Sequence, residues 1–110
     1  MSKTTNFLAF DLGAESGRAV VGRFNGERLS LEDVHRFPNG PTRIHDHLYW
    51  NALNLFAQMK QGLAKAVNQL DLDIAAIGVD AWGVDFGLLD RNGSLIGNPY
   101  HYRAWNPPAN

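Results

Sequence analysis

The chain has 110 residues, 45% of them hydrophobic and 19% charged, with a formal net charge of −1 and no cysteine. That size and balance describe one globular domain with a core of its own and exclude a disordered chain. The lack of cysteine excludes a disulfide scaffold and a thiolate metal site, the lack of a basic cluster argues against nucleic-acid and membrane partners, and no stretch has the length of a membrane helix, so a cytoplasmic protein is expected.

After a polar lead, Phe7 to Phe10 reads as a short buried strand that ends in Asp11. A glycine-bounded turn follows, Gly13-Ala14-Glu15-Ser16-Gly17, and the apolar pattern resumes at Arg18 to Phe24 as a second strand. A carboxylate at a strand end can face hydrated Mg²⁺, and Gly13 and Gly17 let backbone N–H groups approach phosphate oxygens, so this is the layout of a metal-phosphate site. It lacks the Lys-Ser/Thr of a Walker A loop and the helix-opening glycines of a dinucleotide loop. An ordinary hairpin turn with a solvated Asp11 is the alternative.

Asn25-Gly26 between apolar runs marks a hairpin into a third strand, Arg28 to Phe37, where a change of parity at Val34 and Phe37 predicts a bulge or an early strand end near Asp33. Pro38-Asn39-Gly40-Pro41 breaks the pattern, and the polar stretch to His47 reads as a loop. Two histidines in that loop, His45 and His47, have no third matched ligand and read as solvated, not as a metal site. Asn51 is the expected N-cap of a helix whose stripe is Leu53, Phe56, Ala57, Leu63, Ala64, Val67 and Leu70, with Lys60 at its margin, ending by Asp71.

Ile74 to Leu89 then reads as one nearly continuous apolar strand, suited to a central position covered on both faces. Asp90-Arg91-Asn92-Gly93 marks another hairpin, with Ser94 to Gly97 returning. Three strands, a helix and a further strand predict an α/β sheet with an antiparallel edge and a parallel continuation. A buried strand seldom carries Asp80, Asp85, Gly78, Gly83 and Gly87 together. They suggest a floor under a small polar ligand, with Gly83 allowing close backbone approach, Trp82 offering an apolar face to a sugar ring and Asp85 as a further sugar ligand. Bulges at Gly78 and Gly87, a core Trp82 and a turn-capping Asp85 are the alternative. Asp80 and Asp85, five apart, should fall on opposite faces of a regular strand and form no catalytic pair. His35 and His101 read as structural or sugar-rim residues, and Tyr49, Trp50, Phe56, Tyr100 and Tyr102 as core and rim.

Phe10 to Arg18, His35 to Gly40, Trp50-Asn51 and Ile77 to Phe86 together resemble the N-terminal part of the rhamnulokinases, in the FGGY carbohydrate kinase family. The resemblance runs over residues 1–103. It implies the actin/hexokinase-like (ribonuclease H-like) fold and transfer of phosphate from ATP, with Mg²⁺, to a ketose, L-rhamnulose, giving L-rhamnulose 1-phosphate. By position it implies that Ala14, Glu15, Ser16, Gly17 and Arg18, with Gly13, lie on the ATP phosphate loop, that Asp11 is the carboxylate associated with metal through water, and that Gly83 touches the sugar. Glu15 should point outward, away from the polyphosphate, while Arg18 or Ser16 adds a donor.

Two departures accompany the resemblance. Family members continue from the Tyr-Arg pair into Asp, a variable residue and Arg, whereas here Tyr102-Arg103 runs into Ala104-Trp105-Asn106-Pro107-Pro108, so 104–110 is a tail outside the pattern. Family members are also several times longer, and no residue here corresponds to their general base. The implied partners are therefore a sugar and the missing C-terminal half of the kinase, the chain alone is expected to be inactive, and self-association through apolar surface that the missing half would cover is a further expectation. Another actin-fold sugar or polyol kinase or ATPase, and a non-catalytic αβ interaction domain, are the alternatives.

Overall fold

The computed structural model describes residues 3–105. Three strands open the chain, β1 (Thr5–Leu12), β2 (Ser16–Phe24) and β3 (Leu29–Pro38), followed by a hairpin of β4 (Pro41–Ile44) and β5 (His47–Trp50). Helix α1 (Ala52–Ala64) runs into a π-helical turn (Lys65–Gln69), then β6 (Ile74–Asp80), and a 3₁₀ turn (Tyr102–Trp105) ends the described part. The main sheet has the order β3-β2-β1-β6, with β1–β2 and β2–β3 antiparallel and β1–β6 parallel. This is the predicted arrangement of an antiparallel edge with a parallel continuation through a crossover helix.

Local chemistry fixes the early strands. Gly26 supplies the positive φ, +99°, of the β2–β3 turn, and the Asn25 side chain accepts from the Glu27 and Arg28 N–H groups. Ala19 pairs with His35 and Val20 with Asp33, so Val34 is the extra residue of a bulge where the parity change placed one. Alternation then separates two faces. Leu8, Phe10, Leu12, Ala19, Val21 and Phe37 form the buried core beneath α1, each large side chain contributing about 1.5–3 kcal/mol of burial.

Several expectations are corrected. The stretch from 41 to 47 is not a loop throughout: β4 and β5 pair from Pro41–Trp50 to Ile44–His47, and His45 and Asp46 form the turn, His45 at φ 54°. Asn51 does cap α1, accepting from the Asn54 N–H. Of the expected stripe Leu63 packs on the core, but its companions there are Leu55, Met59, Gly62 and Ala66, while Leu53, Phe56, Val67 and Leu70 are exposed. The helix is apolar on more than one face, and Gly62 decides which one meets the sheet. A Cβ there would lie 2.7 Å from the Ala19 Cβ, so the helix backbone rests directly on β2. The apolar run from Ile74 is not one long central strand either. It stops at Asp80, and β6 is an edge strand with Ile77 51% and Val79 58% exposed. Beyond it, Asp90 and Gly93 (φ +86°) close the expected turn, reduced to a single bridge between Leu89 and Leu95.

Candidate active site

Because β6 runs parallel to β1 with Asp80 beside Asp11, the loop after β1 and the segment after β6 leave the sheet at the same end. Two groups of residues gather there. The first surrounds the turn 13–15. The Gly13 N–H donates to the Ser16 carbonyl at 2.9 Å. Asn39 braces the turn from outside, its N–H on the Glu15 carbonyl and its side-chain amide on the Gly13 carbonyl, both at 2.9 Å. Among the described residues, the Ala14 and Glu15 N–H groups donate to no backbone carbonyl. The Glu15 and Ser16 side chains are exposed. Nothing in the sequence singled out Asn39; its position follows from Ser16 pairing with Pro38.

Gly17 is small for a reason other than the one its place in the turn suggested. A Cβ on Gly17 would run into the Phe37 ring, so its missing side chain serves packing of the core. Arg18 Nε donates to Asp11 Oδ2 at 3.0 Å and Arg18 Nη1 reaches Asp33 Oδ1 at 3.3 Å. Asp33 also takes Nε and Nη2 of Arg36, at 2.9 and 2.6 Å. Arg18 and Arg36 stand opposite each other across β2 and β3, a repulsive register. The bulge at Val34 brings in Asp33, whose carboxylate serves both. The hydrogen bond from Arg36 holds the Asp33 carboxyl below the usual carboxylate range, and the bond to Asp11 raises Arg18 further.

The second group is aromatic. Trp50 Nε1 and Trp82 Nε1 both donate to Asp85 Oδ2, at 2.6 and 2.7 Å, and the two indoles lie 4.3 Å apart. Asp85 Oδ1 is buried without a hydrogen-bond partner among the described residues. His101 also packs on Trp50, at 4.3 Å, with Tyr102 stacked on it at 4.3 Å. The chain arrives there because 99–101 lies along β5: Trp50 N–H donates to the Pro99 carbonyl and His101 N–H to the Leu48 carbonyl.

The other predicted residues fall as follows. Trp82 is half-buried, one face against Trp50, with its N–H committed to Asp85. Asp80 and Asp85 are not on opposite faces of one strand, because β6 has ended; Asp80 lies beside Asp11 instead, a juxtaposition visible only once the parallel register is known. Gly83 is exposed and a Cβ there would meet nothing within 4 Å. The tight position is Val84, a β-branched residue at φ 68°, unmarked in the sequence. His35 is fixed between Gln58 Oε1 and Lys65 Nζ, each at 2.7 Å. Of the tail 104–110, residues 106–110 lie outside the described part. No helix among the described residues is long and apolar enough to cross a membrane.

No protein-family model matches the chain. A rhamnulokinase of Bacteroides thetaiotaomicron is 46% identical over 98 residues, which are 89% of this chain and 20% of that protein. The fold matches a gluconate kinase from Lactobacillus acidophilus (TM-score 0.69, 14% identity, 93% of this chain and 20% of that one). It also matches a xylulose kinase from the same organism (TM-score 0.68, 15% identity, 91% and 20%). The chain thus spans about a fifth of the length of the proteins it matches. In sequence this chain is similar to one part of a rhamnulokinase, and it has the actin-like fold of the first part of the FGGY sugar kinases.

Proposed function

We propose that this chain forms one wall of the active site of an ATP-dependent carbohydrate kinase whose sugar is a ketose, L-rhamnulose. The observation that carries the proposal is the meeting, at one end of the sheet, of the braced turn 13–15 with the segment after β6. The related rhamnulokinase supplies the sugar class.

Phosphoryl transfer asks the protein chiefly for positioning and charge stabilisation. The Ala14 and Glu15 N–H groups face no carbonyl and serve phosphate oxygens, the turn being held in shape by Asn39. Arg18 retains N–H groups beyond those given to Asp11 and Asp33. The residues fit hydrated Mg²⁺: Asp11 is exposed, lies beside Asp80 on the neighbouring strand, and both are acceptor-only carboxylates at a strand end. When bound, Mg²⁺ supplies charge neutralisation on the transferring phosphoryl group. On the sugar side, Asp85 holds the two indoles as a fixed apolar plate, and exposed Gly83 gives the substrate room beside it. No residue here is assigned as the general base.

The test is kinetic. The 110-residue chain alone should not phosphorylate L-rhamnulose, and turnover by it would contradict the proposal. In a kinase-length protein carrying this segment, Asp11→Asn should lower kcat by about tenfold or more, with sugar KM nearly constant. Gly83→Val should instead raise sugar KM and leave nucleotide binding intact. Because a side chain at Gly83 meets open space, Val there should move the Tm of the chain by no more than about 2 °C. Unchanged kcat in the first variant, or unchanged KM in the second, removes that residue from the site.

A further inference from the structure

Residues three apart on a regular strand point to opposite faces, yet Asp33 and Arg36 of β3 meet at 2.6 Å. The bulge makes this possible. Val34 packs on the core and His35 bonds to Gln58 of α1 and to Lys65, so both turn toward the helix, and Asp33 returns to the face that carries Arg18. Without the extra residue Val34 would stand opposite Val20, and the carboxylate would lie on the other face.

Arg18 is gripped at two nitrogens, Nε by Asp11 at 3.0 Å and Nη1 by Asp33 at 3.3 Å. Two bonds to different nitrogens fix the plane of a guanidinium, where one would leave it free to turn. Two of its five N–H groups are used in this way, and the others are left for an anion beside the turn 13–15. The two anchors are not equivalent. Asp11 has a second claim on it in the proposed function, hydrated Mg²⁺, whereas Asp33 is turned to arginines alone, its other oxygen taking Nε and Nη2 of Arg36.

We propose that Asp33, delivered by the bulge at Val34, is a positioning residue that holds the Arg18 guanidinium beside the phosphate turn and so governs binding of the nucleotide and not of the sugar. This role rests on the kinase reading of the turn, and Arg18→Gln separates the two.

In a kinase-length protein carrying this segment, Asp33→Asn should raise the nucleotide KM by about tenfold, and equally the Kd for ATP measured by calorimetry without sugar, with sugar KM unchanged. Asp33→Glu, which keeps the charge, should recover most of the loss. Adding Arg36→Gln to Asp33→Asn removes the repulsion between the two arginines without restoring the anchor, so ATP should stay weakly bound. The Tm of the 110-residue chain should move by no more than about 2 °C in Asp33→Asn, because these ion pairs are exposed. Arg18→Gln should weaken ATP at least as much as Asp33→Asn does. Unchanged ATP affinity in Asp33→Asn, where Arg18→Gln loses it, would overturn the role of Asp33 alone. Recovery on adding Arg36→Gln, or equal losses for sugar and nucleotide with a lower Tm, would overturn it as well, leaving Asp33 only a structural task. No effect of Arg18→Gln on ATP would remove Arg18 from the phosphate site, so that the kinase reading fails at that residue and the role of Asp33 falls with it.

Discussion

Val84 sits at φ 68°, where a β-branched side chain is strained, and the residues on either side explain why the strain is kept. The backbone must reverse between Trp82 and Asp85 for the Asp85 carboxylate to return to the Trp82 indole, 2.7 Å away, while also taking the Trp50 indole. A left-handed residue achieves this in the space of one position. Such a conformation costs about 1–3 kcal/mol in a residue other than glycine, and glycine gives back about 0.5–1 kcal/mol through its freer unfolded state. Val84→Gly should therefore stabilise the chain by about 1 kcal/mol and raise its Tm by several degrees. A fall in Tm on thermal denaturation would mean that the valine side chain, 81% exposed, contributes more than its backbone loses. The sequence could not reveal this site, because Gly83 next door looks like the flexible position and Val84 looks like strand.

At the scale of elements, the contact that sets the fold is α1 on β2 through Gly62 and Ala19. A helix glycine normally costs about 1 kcal/mol against alanine, yet here a Cβ would come within 2.7 Å of the Ala19 Cβ. Gly62→Val should consequently destabilise by about 1–3 kcal/mol through overpacking, read as a lower urea midpoint at unchanged m-value. A neutral effect would show that the helix can lift off the sheet freely. Neither residue was expected at this contact, since small side chains leave no mark in an apolar stripe, and Leu53 and Phe56 drew attention to the wrong face. The first three strands were legible because their signals are local: Asn25-Gly26 for the turn, and the parity change for the bulge at Val34. The β4–β5 hairpin was not, because its turn is His45-Asp46 and its strands are too polar and short to alternate clearly. The run Ile74 to Leu89 was read as one central strand from its apolarity, but the strand ends at Asp80, and no strand among the described residues flanks its outer edge. The candidate site divided in the same way. Asp11 and its turn were visible as a motif, whereas Asn39, Asp33 and the pairing of Asp11 with Asp80 depend on register between distant segments.

The molecule as a whole is long, 65 × 33 × 21 Å, and the segment that follows β6 is tied back to the body around Trp50 and β5. The titratable member of that joint is His101, 2% exposed between Trp50 and Tyr102. Burial pushes its pKa below the ordinary 6.5, with Arg103 acting in the same direction and Asp85 opposing both. Its ring is also committed as an acceptor, since Nδ1 receives the Arg103 N–H at 3.1 Å, a role that an imidazolium cannot fill. A histidine with a depressed folded-state pKa binds its proton more readily in the unfolded chain, so stability must fall as pH drops below about 6.5 and rise again toward neutrality. Asp33 works in a separate window. Its lowered pKa makes a contribution that is present above 3.8 and is lost only as pH falls further, through the folded-state value. The unfolding free energy from urea titrations should therefore rise with pH between about 5 and 7. His101→Phe, which keeps an aromatic ring in the stack and removes the titrating group, should flatten that slope while leaving the loss below 3.8 in place. If the slope between 5 and 7 survives in His101→Phe, another group governs the joint, and the segment from 99 to 105 is held by its pairing with β5 and by the aromatic stack without a protonation contribution.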